Sequence, residues 1–444
     1  MSALKLSSRR LASGGRGGLI AKSAKRAKAD PVGPSGQRKT PEKTGRAAWI
    51  KSSAGGAPAL THLQLRESCC ETMLPAPITL SPEAARRFHR RALLLDDPAP
   101  DVGAALAYHG YFQIDPINVC GRMHDLIARN RVAGYREGDL MRHLHGEKTP
   151  LAAAQRVAFE HHLPSAHTLV AFPLDAWPHL LAANAARPRR TGAWSGRLTP
   201  REREFAPQLL AAITERGPLN SDAFEDDRRA HRGWGSATLA KATLQKLFFH
   251  GRLLIAQRGD GNRRVYDLPE RVLPLAILRQ PAPTKRETAR WEAVLKLRQR
   301  RLVLLKRAEL SLVEDLVQPL KVEGCPLLYC LRSDGPLLDR PPSRAEALLP
   351  PLLLAPLDPL IYDRRVTAAL WGFNYTWEVY TPPQKRTRGY YALPVLAHLE
   401  LVGHVDPKAD RPARRLRVMG RKVRRGHPVA AVVKELAQFL GLRG

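Results

Sequence analysis

A glutamine and an aspartate stand two residues apart in "YFQIDPINV", residues 111–119, with Gly110 before the stretch and Pro116 directly after Asp115. In an extended chain alternate side chains share a face. Tyr111, Gln113 and Asp115 then point one way, and Phe112 and Ile114 point the other, into a core. On a helix, residues two apart diverge, and Pro116 disfavours helical geometry at Asp115 in any case. The pair is therefore predicted to be neighbours: a carboxylate able to take a proton, and a neutral amide with both a donor and an acceptor. The three-residue pattern alone does not separate a reactive pair from an ordinary half-buried strand.

Other groups that could do chemistry are weaker. His143 and His145 in "HLH", Glu160, His161 and His162 in "EHH", and His167 are metal-ligand types, but none has a tight zinc spacing with a second element behind it, and no metal is expected. Five cysteines, Cys69, Cys70, Cys120, Cys325 and Cys330, form no CxxC pair and are odd in number, which fits a reducing cytoplasm better than a disulfide framework. There is no GxxxxGK[ST], the "GGRGG" at 14–18 follows no strand, and no GxSxG is present, so neither nucleotide hydrolysis nor a nucleophile elbow is supported.

The elements that must hold Gln113 and Asp115 are legible on both sides. Ser81 as N-cap, Pro82 at the first helical position and Glu83 in the first turn predict a helix in "LSPEAARRFHRRALLL". A second, short helix should start at Asp101 and stop at Gly110. Further on, "ATLAKATLQKLFFHGRLL" has helical spacing of Leu239, Leu244, Leu247 and Phe248 and ends at Gly251. Two strands around Gly259-Asp260-Gly261-Asn262 follow. Helix, glycine, strand, basic turn, strand is the winged-helix pattern, with Arg258, Arg263 and Arg264 on the wing; the alternative is a surface hairpin with solvated arginines. Residues 285–320 read as helices, "KRETARWEAVLKLRQRRLVLLKRA" and "SLVEDLVQPL", of another such unit. From 352, "TWEVYTP", "GYYALPVLAHLELVGHVDP" and "RRLRVMG" suggest a small β-rich domain, closed by a helix in "PVAAVVKELAQFLGL". No repeat of fixed period is present.

The totals bound the class. A chain of 444 residues, 44% hydrophobic, allows roughly two to four domains with real cores. Apolar runs are broken by proline and fall short of the roughly 20 residues a membrane span needs. The net charge of +31 favours a polyanion, and nucleic acid is the commonest. Residues 1–72 hold 14 Lys or Arg and 4 Asp or Glu, so +21 of that excess falls on the rest of the chain. The basic, Gly/Ala/Ser-rich start lacks the apolar region of a secretory signal and predicts a disordered arm, or an upstream start ahead of Met73. Only 6% of residues are aromatic, which argues against single-strand or RNA binding through stacking.

Several separated, colinear segments carry a family resemblance: "YFQIDPINVCGRMHDL", "HTLVAFPLDAWP", "LQKLFFHGRLLIAQR" with "RVYDLPERVLP", "LLLAPLDPLIYDRR", "WGFNYTWEVYTPPQKRTRGYYALPVL" and "LVGHVDPKADR". From about residue 78 to about 420 the chain resembles the winged-helix DNA glycosylases that repair alkylated bases and unhook interstrand crosslinks. The resemblance implies an α+β fold: tandem winged helices plus a C-terminal β-rich domain around a DNA channel. It implies a cytoplasmic, nucleoid-associated and monomeric enzyme acting on double-stranded DNA, with no membrane and no cofactor. The family's catalytic motif, Gln, an aliphatic residue, then Gln or Asp, falls on Gln113, Ile114 and Asp115, and a supporting histidine falls on His167. Pro116 stands where the family commonly has a small hydroxyl residue, and the spacing from Glu160 to His167 is longer than usual. Arg258, Arg263 and Arg264, with Lys385, Arg386 and Arg388, are assigned to DNA contact.

The expected organisation is a basic arm over 1–75, a first winged-helix region with the catalytic motif over 76–200, a second over 201–280, a third over 281–345, a β-rich domain over 346–420 and a final helix over 421–444. The expected activity is monofunctional hydrolysis of the N-glycosidic bond of N-alkylated purines. The competing expectation is a non-catalytic winged-helix DNA-binding protein or transcriptional regulator on the same scaffold.

Overall fold

The computed structural model describes residues 74–166, 168–191, 194–224 and 237–444, all within the compact unit Cys69–Gly444. The basic arm and His167 lie outside the described residues. Strand β1 (Ile78–Leu80) leads into helix α1 (Pro82–Ala92), where Ser81 accepts the Ala84 amide and Pro82 occupies the first turn, in which no N–H is needed. Helix α2 (Val102–His109) is capped by Asp101 and ends at Gly110, φ +81°. A side chain there would also meet Leu295 at 2.6 Å, so backbone and packing both require glycine. Strand β2 (Phe112–Gln113) comes next, then α3 (Met123–Ala128), α4 (Asp139–His145) and the antiparallel hairpin β3 (Ala158–His162) and β4 (Leu169–Pro173). Residues of β2 pair with β4, giving the order β2-β4-β3.

The same order of elements returns twice. After α5 (Trp177–Ala186) come α6 (Pro200–Arg216), an isolated bridge at Leu219, α7 (Leu239–Phe249) and the hairpin β5 (Leu254–Gly259) and β6 (Arg263–Asp267). The single turns α8 (Pro269–Val272) and α9 (Leu275–Leu278) lead to α10 (Lys285–Arg300), a bridge at Val303, α11 (Arg307–Val313) and the hairpin β7 (Val317–Val322) and β8 (Leu328–Leu331). In each unit the extended residue after the first helix pairs with the second hairpin strand: Phe112 with β4, Leu219 with Tyr266, Val303 with Tyr329. Short helices α12 (Gly335–Asp339) and α13 (Arg344–Ala347) precede β9 (Leu352–Leu353), helix α14 (Arg364–Trp371), and the strands β10 (Leu393–Ala397), β11 (Glu400–Asp410) and β12 (Arg415–Val423). These form an antiparallel sheet, β12-β11-β10-β9, and α15 (Ala430–Phe439) follows.

Three expectations change. "SLVEDLVQPL" is not one helix: α11 stops at Val313 and Val317–Val322 is β7, because Pro319 would cost a helix interior about 3 kcal/mol. The long helix of 285–308 ends at Arg300, where Arg301 turns to φ +60° and its guanidinium is held by Asp334 at 2.9 Å and the Tyr108 carbonyl at 2.9 Å. "TWEVYTP" is turn and coil rather than strand, since Pro382 and Pro383 offer no ladder donor.

One hydrophobic core joins α2, β2, α3 and α4 to the β10–β11 strands and α15; a second gathers β3, β4, α5, α6, α7 and β5. Strand β2 lies on the seam. Phe112 and Ile114 enter the first core and Tyr111 the second, so both faces are covered and the half-buried strand gives way to one buried on both sides.

Candidate active site

Gln113 is fixed by β2 pairing, opposite Val170 of β4, and the ladder extends one step further through Ile114 N–H donating to the Leu169 carbonyl at 2.8 Å. Its residue is 8% exposed, yet the side-chain amide makes no hydrogen bond among the described residues. That leaves a donor and an acceptor for something outside the protein. Asp115 follows where the ladder ends. Its Oδ1 accepts the Ile117 amide at 2.9 Å, a turn that a short carboxylate before proline favours, and Oδ2 has no partner among the described residues. Burial pushes the Asp115 carboxyl above its ordinary value, against the opposing pull of the Ile117 amide. A carboxylate with one free oxygen and a raised proton affinity is suited to taking a proton or facing a cation. Next to it lies Tyr391, fully buried, its hydroxyl without a partner among the described residues; burial first, and the Asp115 charge after it, keep that hydroxyl protonated.

A cavity of about 690 Å³ runs from Pro116, the residue after Asp115, to α7 and the β5–β6 hairpin; Gln113 and Asp115 themselves do not line it. Among the described residues its walls carry Arg122, Lys241, Arg258, Arg263 and Arg264 against the single carboxylate of Asp222. The structure thus brings the arginines of the β5–β6 hairpin to the same cavity as the residue after Asp115. Arg263 pairs with Asp222 in the open, at 64% and 53% side-chain exposure, a contact that a phosphate can displace. Arg264 lies over the Phe248 ring at 5.7 Å. The turn is built as its chemistry requires, with Gly261 and Asn262 at φ +64° and +66°.

Arg258 lines the cavity and is also paired within the protein. Expected on the DNA-facing side, it turns inward: Nε donates to Glu160 Oε1 at 2.8 Å, Nη2 also pairs with Glu160, and its side chain is 9% exposed. Burial raises the Glu160 carboxyl and the Arg258 charge, with the His145 and Arg258 hydrogen bonds, outweighs it, so the group stays ionised well below the carboxylate range. A buried carboxylate of this kind holds the nearest guanidinium more firmly than a solvated phosphate can. His145 Nε2 lies 2.6 Å from Glu160, and Arg156 reaches the His145 ring at 3.3 Å and the Leu144 carbonyl at 2.8 Å. The network ties α4, β3 and β5 together. The "EHH" histidines are structural: His161 lies against the Phe248 carbonyl at 3.2 Å, with burial lowering it to about 4, and the His162 ring packs 4.1 Å from Phe249. Among the described residues no group of three or more His, Cys, Asp or Glu is arranged to hold a metal.

Lys385, Arg386 and Arg388 lie on the loop between α14 and β10. Lys385 is exposed; Arg386 donates to the Thr381 carbonyl at 2.8 Å and covers the Tyr390 ring at 4.8 Å. Arg388 is tied to the Asn374 carbonyl at 2.8 Å and to Glu378 at 3.5 Å, so it shapes the loop. Glu378 in turn accepts the amides of Thr387 and Arg388 at 2.9 and 2.8 Å; burial opposes its charge, but these bonds lower it to about 2. Sequence reasoning missed Arg122 and Lys241. Lys241 and Gln245, one turn apart on the polar face of α7, were a signal that helical periodicity offered.

Gln113 is buried, Asp115 is half-buried, and the residue after Asp115 lines a cationic cavity built by a helix and a hairpin, which suits a polyanionic substrate. The chain belongs to the DNA glycosylase AlkZ-like family, whose model matches residues 106–442. Its fold is also similar to that of the Streptomyces sahachiroi DNA glycosylase AlkZ, with a TM-score of 0.52 and 16% identity over 82% of this chain and 98% of that chain. The chain is therefore a DNA glycosylase, and DNA is its substrate. No helix among the described residues is long and apolar enough to cross a membrane.

Proposed function

We propose that the protein is a monofunctional glycosylase that hydrolyses the N-glycosidic bond of N-alkylated purines of the N7-alkylguanine type in double-stranded DNA, including bases held in interstrand crosslinks. The three helix-and-hairpin units are read as winged helices gripping the duplex, with Arg263, Arg264, Lys385 and Arg386 on phosphates. The reading rests on one observation above the rest: Asp115 is partly desolvated, one of its carboxylate oxygens has no partner among the described residues, and the next residue, Pro116, lines a cationic cavity.

Alkylation at N7 makes the purine cationic, so the base already leaves well and general-acid help is minor. The barrier moves to the sugar, where positive charge builds at C1′ as the bond stretches. A fixed carboxylate in a dehydrated site stabilises that charge. Water then bonds to C1′, its proton passes to Asp115, the C1′–N9 bond breaks, and its electron pair neutralises the departing base. Gln113 donates to or accepts from that water and keeps it in line. No lysine attacks the sugar in this scheme, so the product is an abasic site. A crosslinked base is tethered to both strands and cannot swing into a closed pocket as in ordinary base flipping, which suits an open cationic cavity.

The test is a duplex with one N7-alkylguanine, comparing wild type, Asp115→Asn and Gln113→Ala for abasic-site formation and for binding. Asp115→Asn is expected to slow excision by about 10²–10³-fold and Gln113→Ala by less, with binding retained. Wild-type binding without abasic sites sinks the substrate assignment; variants as fast as wild type sink the site assignment.

A further inference from the structure

Tyr380 is 87% exposed, the most exposed large apolar side chain among the described residues. It is not on a loose tip. The Thr381 amide donates to the Glu378 carbonyl at 2.9 Å, closing a turn in which Val379 is buried and Tyr380 stands out. Pro382 and Pro383 stiffen the exit. The stem is clamped by two carboxylates: Glu378 takes the Thr387, Arg388 and Gly389 amides, and Asp406 takes those of Tyr390 and Tyr391 at 3.1 and 2.9 Å. Such a loop presents its ring with little ordering cost on binding.

The ring also has a defined place relative to the site. Its centroid is 6.4 Å from that of Trp377, and Trp377 is 5.8 Å from Tyr391, which shares a core with Phe112 and Ile114 and feels the Asp115 charge. Exposed Lys385 and the Arg386-covered Tyr390 lie on the same loop. Tyr390 has a guanidinium on its ring; Tyr380 has no cation over it among the described residues.

We propose that Tyr380 is a base-stacking residue: its ring packs on a nucleobase unstacked next to the lesion, while the loop's cations hold the adjoining phosphates. This deepens the glycosylase reading and rests on it for the position of the lesion. Removing or extruding a damaged purine exposes neighbouring base faces, and an aromatic side chain replaces the lost stacking partner.

The experiment places 2-aminopurine beside a single N7-alkylguanine and, separately, beside a stable abasic analogue. Wild type, Tyr380→Ala, Tyr380→Phe and Tyr380→Trp are compared for fluorescence on binding and for affinity. The expected result is that wild type, Phe and Trp change the 2-aminopurine signal alike, whereas Ala does not and binds roughly ten-fold more weakly. Ala matching wild type in signal and affinity overturns the proposal, as does failure of Phe to restore them. Excision of the alkylguanine is scored in the same tubes, and the abasic-analogue arm needs no chemistry. Loss of excision with stacking intact therefore counts against the substrate reading and in favour of Tyr380. The side chain is almost wholly solvated, so folding does not confound the variants.

Discussion

Asp115 is subject to opposing influences: burial raises its proton affinity, the Ile117 amide lowers it, and burial prevails. Two consequences have opposite signs. Excision needs the carboxylate, so the acid limb of a kcat/KM profile is expected above the ordinary aspartate value of 3.8, and it should be missing from the residual activity of Asp115→Asn. Folding is opposed by the same shift. A carboxyl that binds its proton more tightly when folded contributes most stability at low pH and loses it as pH rises from the unfolded value through the raised one. Asp115→Asn is therefore expected to have a Tm at or above that of wild type near neutral pH, with the difference closing below about pH 4. A lower Tm at neutral pH would mean that the variant damages the fold rather than the chemistry. At this scale the sequence was informative about residue types and silent about environment: alternation put Gln113 beside Asp115, but not the second core that Tyr111 enters.

At the scale of elements, Glu160 and Arg258 fasten the β5–β6 hairpin to the sheet that carries Gln113. Both side chains are nearly excluded from water, so Glu160→Ala, which strands a buried guanidinium, is expected to destabilise by about 3–5 kcal/mol in urea titrations. Arg258→Ala should also appear as lost stability, with the salt dependence of DNA binding nearly unchanged. Arg263→Ala and Arg264→Ala should do the reverse, each flattening the log–log salt slope by about 0.9. A slope unchanged in both would place the duplex away from this hairpin. The loop above the site makes a stricter demand. A Cβ on Gly389, at φ +124°, would collide with the Asp406 carboxylate, so Gly389→Ala is expected to displace the Tyr380 loop and lower both Tm and DNA affinity. An alanine variant with wild-type values would show that the clamp is dispensable. The hairpin, its turn and the caps of α1 and α2 were readable because each is decided within a few residues; the pairing of Arg258 with Glu160 was not, because the two are 98 residues apart.

Over the whole molecule, charge and topology divide the work. The residues before Met73 carry 14 of the Lys and Arg residues, and such cations add nonspecific affinity that salt removes. A chain starting at Met73 is expected to bind DNA more weakly than the full chain at low salt and equally at high salt, with the same excision rate once saturated. A slower rate at saturation would give the arm a part in the chemistry. The threefold recurrence of helix, pairing residue, helix and hairpin was invisible as a repeat, because a fold can be repeated through pairing geometry without repeating side chains. What the sequence determined by itself was local: the caps of α1 and α2, the hairpin turn, and a positive charge suited to DNA. These follow from backbone preferences and solvation that act over a few positions. Only the tertiary structure decided that β2 lies between two cores, that Arg258 pairs with Glu160, and that a clamped loop presents Tyr380. Burial and ion pairing join residues far apart in the chain, and their energies exist only once those residues meet.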